Sequence, residues 1–189
     1  MVSGSFEVSE LSAELKIYYA RLRITDADLD EYPLPFCEQA KLDELEVVDL
    51  DFAGRPFVLT SRAAEAWRNL VAAASFDDVR IMPASGFRSY LYQQKLIEKR
   101  LAEGEALDGV LMSNVLPGFS EHHTGQAVDI CSEPMVGEDR FQETDAFAWM
   151  TANGHSFGFT LSYPANNGQG LIFEPWHWLF GPKPTFSAR

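Results

Sequence analysis

Sulfur and imidazole are both scarce in this chain of 189 residues, which has two cysteines, Cys37 and Cys131, and four histidines. Two cysteines so far apart in sequence cannot form a disulfide framework. No CxxC pair is present, so any zinc would have to be held by histidine and carboxylate. Positive charge is short as well, with 15 Lys and Arg against 28 Asp and Glu and a formal net charge of -13. That balance opposes the phosphate attraction on which most nucleic-acid affinity rests, and no nucleic-acid partner is expected. Acids concentrated in 7–14, 26–31 and 43–51 read as solvated surface. No apolar run approaches the roughly 18 to 20 residues that a membrane helix needs, so membrane insertion is not expected. Residues 1–19 lack a basic flank and an unbroken apolar core, being punctuated by Glu7, Glu10, Glu14 and Lys16, and do not read as a signal peptide. There is no internal repeat and no low-complexity tract.

What is present is ample material for one packed interior, since 46% of the chain is hydrophobic and 13% aromatic. The length fits a single domain. Residues 1–60 mix helical hints with Tyr32-Pro33-Leu34-Pro35, whose prolines disfavour helix, and read as a helix and an arm over a core formed by 61–189. From Thr60 or Ser61 as N-cap, Ala63, Ala66, Trp67, Leu70, Val71 and Ala74 fall on one face of a helix over 61–75. Further helices are expected over 89–106 and 143–153, the latter ending at Asn153-Gly154 as a left-handed cap. Strands are expected over 79–84, 126–131, 157–163 and 171–180, the last two separated by a turn region at 164–170. The expected architecture is therefore α+β, an antiparallel sheet of about four or five strands packed with helices.

Three of the four histidines lie in two segments that also carry acids: Ser120-Glu121-His122-His123-Thr124-Gly125-Gln126-Ala127-Val128-Asp129 and Glu174-Pro175-Trp176-His177-Trp178. A catalytic zinc wants three protein ligands of these types and a fourth position for water. A turn at Thr124-Gly125 would fold His122 and Asp129 toward one point. Glu174 and His177, three apart, would face opposite ways on an ideal strand. Pro175 removes a ladder hydrogen bond and favours a bulge or bend, which would let His177 reach a metal while Glu174 reaches the water beside it. Asp129, an acid between Val128 and Ile130, should have a partner if buried, and metal ligation provides one. His123 adjoins a ligand candidate and suits a supporting or substrate contact better than ligation, and His155, at a helix end, reads as structural.

The chain resembles the VanY-type D-alanyl-D-alanine carboxypeptidases, within the zinc metallopeptidases that share the hedgehog/DD-peptidase fold. The resemblance covers 81–181. It rests on Ser85-Gly86-Phe87-Arg88-Ser89-Tyr90 with Gln93, on the SxHxxGxAxD pattern met by Ser120, His122, Gly125, Ala127 and Asp129, on Phe157-Gly158-Phe159 with Ser162-Tyr163-Pro164, and on Glu174-Pro175-Trp176-His177-Trp178. It implies one Zn2+ ion held by His122, Asp129 and His177, with Glu174 as general base and Arg88 steadying the scissile carbonyl. It also implies substrate contacts from Ser120, Gln93, Ser85, Tyr90 and Trp176. The chain departs from the family at Leu179-Phe180, where Arg-Tyr often follows, and at Leu171-Ile172-Phe173, where a Tyr is common; both bear on substrate preference.

The expected function is removal of the C-terminal D-alanine from peptidoglycan stem peptides. An L,D-carboxypeptidase or an L-alanyl-D-glutamate endopeptidase would use the same chemistry on the same wall peptides, and a zinc-bearing binding module would use the fold without catalysis. A monomer is expected. The absence of a leader points to the cytoplasm for the chain as it stands, whereas a wall substrate points to the periplasm or cell envelope.

Overall fold

The computed structural model describes residues 12–132, 138–168 and 171–184. Residues 1–11, on which most of the reading against a signal peptide rests, lie outside the described residues, as do Gln169 and Gly170 of the expected turn region. Among the described residues no helix is long and apolar enough to cross a membrane.

Four short strands form the central sheet: β3 (Met82–Ser85), β4 (Ala127–Cys131), β5 (Phe159–Leu161) and β6 (His177–Phe180), in the spatial order β3-β4-β6-β5 with every neighbouring pair antiparallel. Side chains alternate across a strand, so each strand divides its residues between two faces. Val128, Ile130, Phe159 and Trp178 supply one face, packed with Trp67, Leu70, Ala146 and Met150 in the main core. Those four come from helices α3 (Ser61–Phe76) and α6 (Asp145–Asn153). Helix α3 buries Ala63, Ala64, Trp67, Leu70 and Ala74, with Ala66 and Val71 packed against the same core. The opposite face of the sheet carries Asp129 and His177.

Several boundaries differ from the sequence expectation. Helix α4 (Tyr90–Ala102), whose N-cap Ser89 accepts the Tyr92 amide at 3.1 Å, stops short of 106. Its last carbonyls are taken by the Glu103 and Gly104 amides, and Arg100 reaches across the turn to Glu105 before the short helix α5 (Leu107–Leu111). Helix α6 does end at Asn153, but Gly154 has φ -53 and ψ -37, so it is not a left-handed cap. The chain continues in a 3-10 turn (Gly154–Phe157), and the left-handed residue is Gly158 at φ 83, where a Cβ would meet the Phe180 ring at 2.9 Å. Of the expected strand at 171–180 only His177–Phe180 pairs. The preceding Glu174-Pro175-Trp176-His177 is a tight turn, closed by the His177 amide on the Glu174 carbonyl at 3.1 Å. Proline at its second position supplies the fixed φ such turns use.

The N-terminal sixty residues hold more than a helix and an arm. Helix α1 (Ala13–Leu22) is capped by the Ser12 hydroxyl and followed by the single-turn α2 (Asp26–Asp30). Residues 45–60 form a hairpin of β1 (Leu45–Leu50) and β2 (Pro56–Thr60) with a register shift between Val47 and Asp49. Asp51 holds its turn, accepting the Ala53 and Arg55 amides at 2.9 Å and the Arg55 Nε at 2.7 Å. Phe57 and Leu59 then enter the main core. A second cluster joins Leu15, Tyr18, Tyr19, Leu29 and Leu34 to Val115, Leu116, Phe119 and Tyr163. The arm is also tied by its backbone, Cys37 N to Gly118 O at 2.7 Å and Ala40 N to His123 O at 2.8 Å.

Gly86, just after β3, lies so close to β2 that an added Cβ would sit 2.5 Å from the Val58 carbonyl oxygen and 3.0 Å from the Phe57 ring. Backbone on one side and a buried ring on the other cannot both yield. Gly86→Ala is therefore expected to destabilise the protein by about 1–3 kcal/mol, read as a lowered denaturant midpoint with unchanged slope.

Candidate metal centre

The sheet register assembles the site. Ser85 of β3 pairs with Asp129 of β4, and Asp129 pairs with His177 of β6, so three strands set these residues in one row. Directly opposed residues in antiparallel strands stand close enough for their side chains to meet. His177 Nδ1 lies 2.9 Å from Asp129 Oδ1. His122 arrives from outside the sheet, in a 3-10 turn (Glu121–Thr124) that ends the loop leading into β4. Its ring is 4.9 Å from that of His177 and nearly perpendicular to it, at 79°. One nitrogen or carboxylate oxygen from each of His122, Asp129 and His177 lies within 4.8 Å of the others, and all three residues are buried.

The tautomers follow from the partners. His122 Nδ1 sits 2.7 Å from the Gly86 carbonyl, which can only accept, so Nδ1 carries the hydrogen and Nε2 offers a lone pair. That Nε2 is buried, makes no hydrogen bond, and lies 3.1 Å from Asp129 Oδ2. The Asp129 oxygen has the Arg88 guanidinium, but the imidazole lone pair has no donor, and an orphaned buried nitrogen is a rarity. The donor set of two imidazoles and a carboxylate with a buried lone pair fits zinc.

Charge in the cluster is arranged accordingly. Burial, helped by the Arg88 charge, pushes His122 down to about 4 and keeps it neutral near pH 7. Burial works against the Asp129 carboxylate, but the Arg88 guanidinium and the hydrogen bond from His177 outweigh that and hold it well below the usual range. For His177 burial again disfavours charge, yet the hydrogen bonds it donates to Asp129 and Glu121 prevail and push it up to about 10.

Around the cluster lies a cleft of about 240 Å3, whose lining includes Arg88, Gln93, Ser120, Tyr163, Glu174 and Trp176. Buried Glu174 has Oε2 4.0 Å from His177 Nδ1, brought there by the turn at Pro175. Arg88 donates to Asp129 Oδ2 through Nη2 and to Ser85 Oγ through Nε at 2.9 Å, so two of its three nitrogens are engaged in holding it in place. Gln93 donates to the Val115 carbonyl at 2.9 Å and keeps a buried Oε1 without a hydrogen bond.

Two residues expected to touch substrate are placed otherwise. Ser85 is not on the cleft wall, and its hydroxyl anchors Arg88. Tyr90 is not there either: its hydroxyl accepts the Gln39 amide at 2.9 Å and donates to the Cys37 carbonyl at 3.1 Å, tying α4 to the arm. His123 is a supporting residue, with Nδ1 2.6 Å from the Arg88 carbonyl, and His155 is exposed on its turn. Sequence reasoning passed over Glu121. It is buried, with Oε2 2.9 Å from His177 Nε2, but one more acid in a chain of net charge -13 carries no mark of burial.

The sequence profile of VanY, described as D-alanyl-D-alanine carboxypeptidase, matches residues 57–183. The chain belongs to the VanY family. A D-alanyl-D-alanine carboxypeptidase of Enterococcus faecalis is 30% identical over 124 residues, 60% of this chain and 44% of that protein. The chain spans about half the length of such curated relatives. Among solved structures, the LD-carboxypeptidase LdcB aligns with a TM-score of 0.66 and 26% identity, over 75% of this chain and 69% of that one. VanYB in complex with D-alanine-D-alanine aligns with a TM-score of 0.60 and 27% identity, over 78% of this chain and 82% of its own. A variant VanY from the VanB-type resistance cassette, matched equally well, was crystallised with Zn(II). The VanY match begins at β2 and takes in the whole central sheet.

With a chelator present, the raised value of His177 has a definite sign in stability. A folded-state pKa of about 10 against about 6.5 in the unfolded chain stabilises the fold fully below about pH 6.5, and that contribution is lost as pH rises through about 10. Denaturant midpoints of the chelated protein should fall across that window, and His177→Gln should flatten the fall.

Proposed function

We propose that this chain is a zinc-dependent D-alanyl-D-alanine carboxypeptidase that removes the C-terminal D-alanine of peptidoglycan stem peptides. The observation that carries the reading is the convergence of His122, Asp129 and His177, with Glu174 4.0 Å from His177, on the floor of one cleft. In this reading zinc is held by His122 Nε2, the Asp129 carboxylate and His177 Nδ1. The chemistry such an ion supplies is Lewis acidity toward the scissile carbonyl and acidification of a water near neutral pH.

The chain's own groups do the rest. Glu174 takes the proton of the attacking water and returns it to the leaving amine. Arg88, fixed by Asp129 and Ser85, uses its remaining nitrogen to meet negative charge growing on the carbonyl oxygen. Ser120 and the open Oε1 of Gln93 contact the peptide, with Trp176 on the wall of the cleft. Support also comes from the relatives, since VanYB was crystallised with D-alanine-D-alanine and a VanY variant with Zn(II).

A second reading, L,D-carboxypeptidase, is favoured by one observation: LdcB aligns with the higher TM-score of the two carboxypeptidases, 0.66 against 0.60. Stem peptides ending in one or two D-alanines, followed by mass spectrometry, separate the two. Loss of one D-alanine from the pentapeptide is the outcome expected; release only from the tetrapeptide transfers the assignment to the second reading. Hydrolysis of neither removes both.

Glu174→Ala should lower kcat by about 10² to 10⁴ while bound zinc, measured by elemental analysis, stays at the unsubstituted level. Arg88→Ala should lower it by about 10² to 10³. Undiminished turnover in Glu174→Ala would remove the base assignment.

A further inference from the structure

The loop that supplies His122 also supplies a buried carboxylate to the other histidine of the cluster. Glu121 Oε2 lies 2.9 Å from His177 Nε2, on the ring edge opposite the Nδ1 that faces Asp129 at 2.9 Å. The same oxygen accepts the Ser162 hydroxyl at 2.5 Å. Ser162 is fixed in turn, because its carbonyl accepts Lys183 Nζ at 2.8 Å and its amide donates to the His177 carbonyl at 3.3 Å. The Tyr163 ring packs against His177 with centroids 4.9 Å apart. Glu121 is thus locked in orientation by Ser162 on one side and the His177 ring on the other.

Glu121 Oε2 already accepts the Ser162 hydroxyl, and an oxygen in that role accepts from the imidazole as well, so the nitrogen facing it carries the hydrogen. With Nε2 so committed, the lone pair of a neutral His177 ring is on Nδ1, the nitrogen aimed into the cluster. His122 is set the opposite way, its Nδ1 hydrogen given to the Gly86 carbonyl and its Nε2 presented. Left to itself a histidine exchanges the two tautomers freely, and a ligand ring needs its other nitrogen fixed to keep its orientation and basicity.

We propose that Glu121 is a positioning residue for the metal site: its carboxylate, held by Ser162, fixes the tautomer and ring plane of His177 so that Nδ1 is the ligating atom. This rests on the ligand set proposed above. It assigns the acid preceding His122 a task distinct from those of Glu174 and Asp129, since Glu121 is bonded to the far side of the imidazole and does not line the cleft. One short turn, Glu121–Thr124, therefore carries both a ligand and the orienter of a second ligand that lies more than fifty residues further along the chain.

The test is zinc affinity of the full chain, measured by competition with a chelator of known affinity, alongside thermal unfolding of each metal-free variant. Glu121→Ala should weaken zinc binding about 10- to 100-fold. Glu121→Gln, which keeps an oxygen acceptor, should restore part of the loss, and Ser162→Ala, which only loosens the carboxylate, should lose less than Glu121→Ala. The cobalt(II)-substituted protein adds a spectroscopic readout, since the d–d bands should shift in Glu121→Ala and return toward the unsubstituted spectrum in Glu121→Gln. A purely structural Glu121 would lower the melting temperature of the metal-free protein and leave affinity and spectrum of the folded fraction unchanged, which would overturn the proposal. If Glu121→Ala does not fold, Glu121→Gln decides alone, by a several-fold loss of affinity or none. An unsubstituted chain that takes up no zinc overturns the ligand set itself, and this inference with it.

Discussion

A carboxylate buried in the middle of a sheet is the constraint around which this molecule is organised. Asp129 stands between Val128 and Ile130 on the central strand pair, and an ionised acid there is tolerable only if other charges and donors come to it. Two do. Arg88 comes from the turn after β3 and His177 from the facing position on β6, while His122, from the loop before β4, presents a lone pair to the same cluster. Removing Arg88 or His177 would leave the remainder over- or under-charged in a medium that screens poorly, so their geometry is determined jointly. The same requirement explains why Ser85 is spent on Arg88 and why the Gly86 carbonyl is aimed at His122.

Division of labour between the two faces of the sheet follows from strand alternation. Asp129 and His177 face the cleft while Val128, Ile130 and Trp178 pack with α3 and α6, so a rigid hydrocarbon interior backs the polar row directly. A site built on strands in this way inherits their precision, whereas loop-borne residues need separate bracing. His122 is the loop-borne member, and the bracing is visible. Tyr19, Tyr32 and the backbone of 37–40 all bond to the segment from Leu116 to His123. Residues 19–40 thereby brace the loop that carries His122.

The four strands of the sheet, α3 and α6 were legible in the sequence because periodicity and capping residues act locally. The ends of the elements were less so. Helix α4 stops where Arg100 turns to Glu105, an interaction that spacing alone does not reveal, and the strand at β6 is short because its first half is used as a turn to bring Glu174 beside His177. The hairpin at 45–60 was hidden by Glu46 and Asp49, which spoil alternation on β1, and by a register shift that breaks it outright. For the site, residue types and motif order pointed to His122, Asp129, His177, Glu174 and Arg88, all of which the fold gathers into one cleft. Glu121, and the structural use of Ser85 and Tyr90, depended on which atoms face one another, and that is a property of packing rather than of sequence.

Asp129 and His177 are 48 residues apart in the chain, yet they sit opposite each other on neighbouring strands. An ion shared between them would therefore be a cross-link as well as a reagent. It would shorten the span over which the intervening segment, including α6 and β5, can wander once the fold begins to open, much as a covalent bridge closing a loop of that size restricts the denatured ensemble. Metal uptake and resistance to unfolding would then rise together, and β6 would be fastened to β4 by more than their shared backbone ladder.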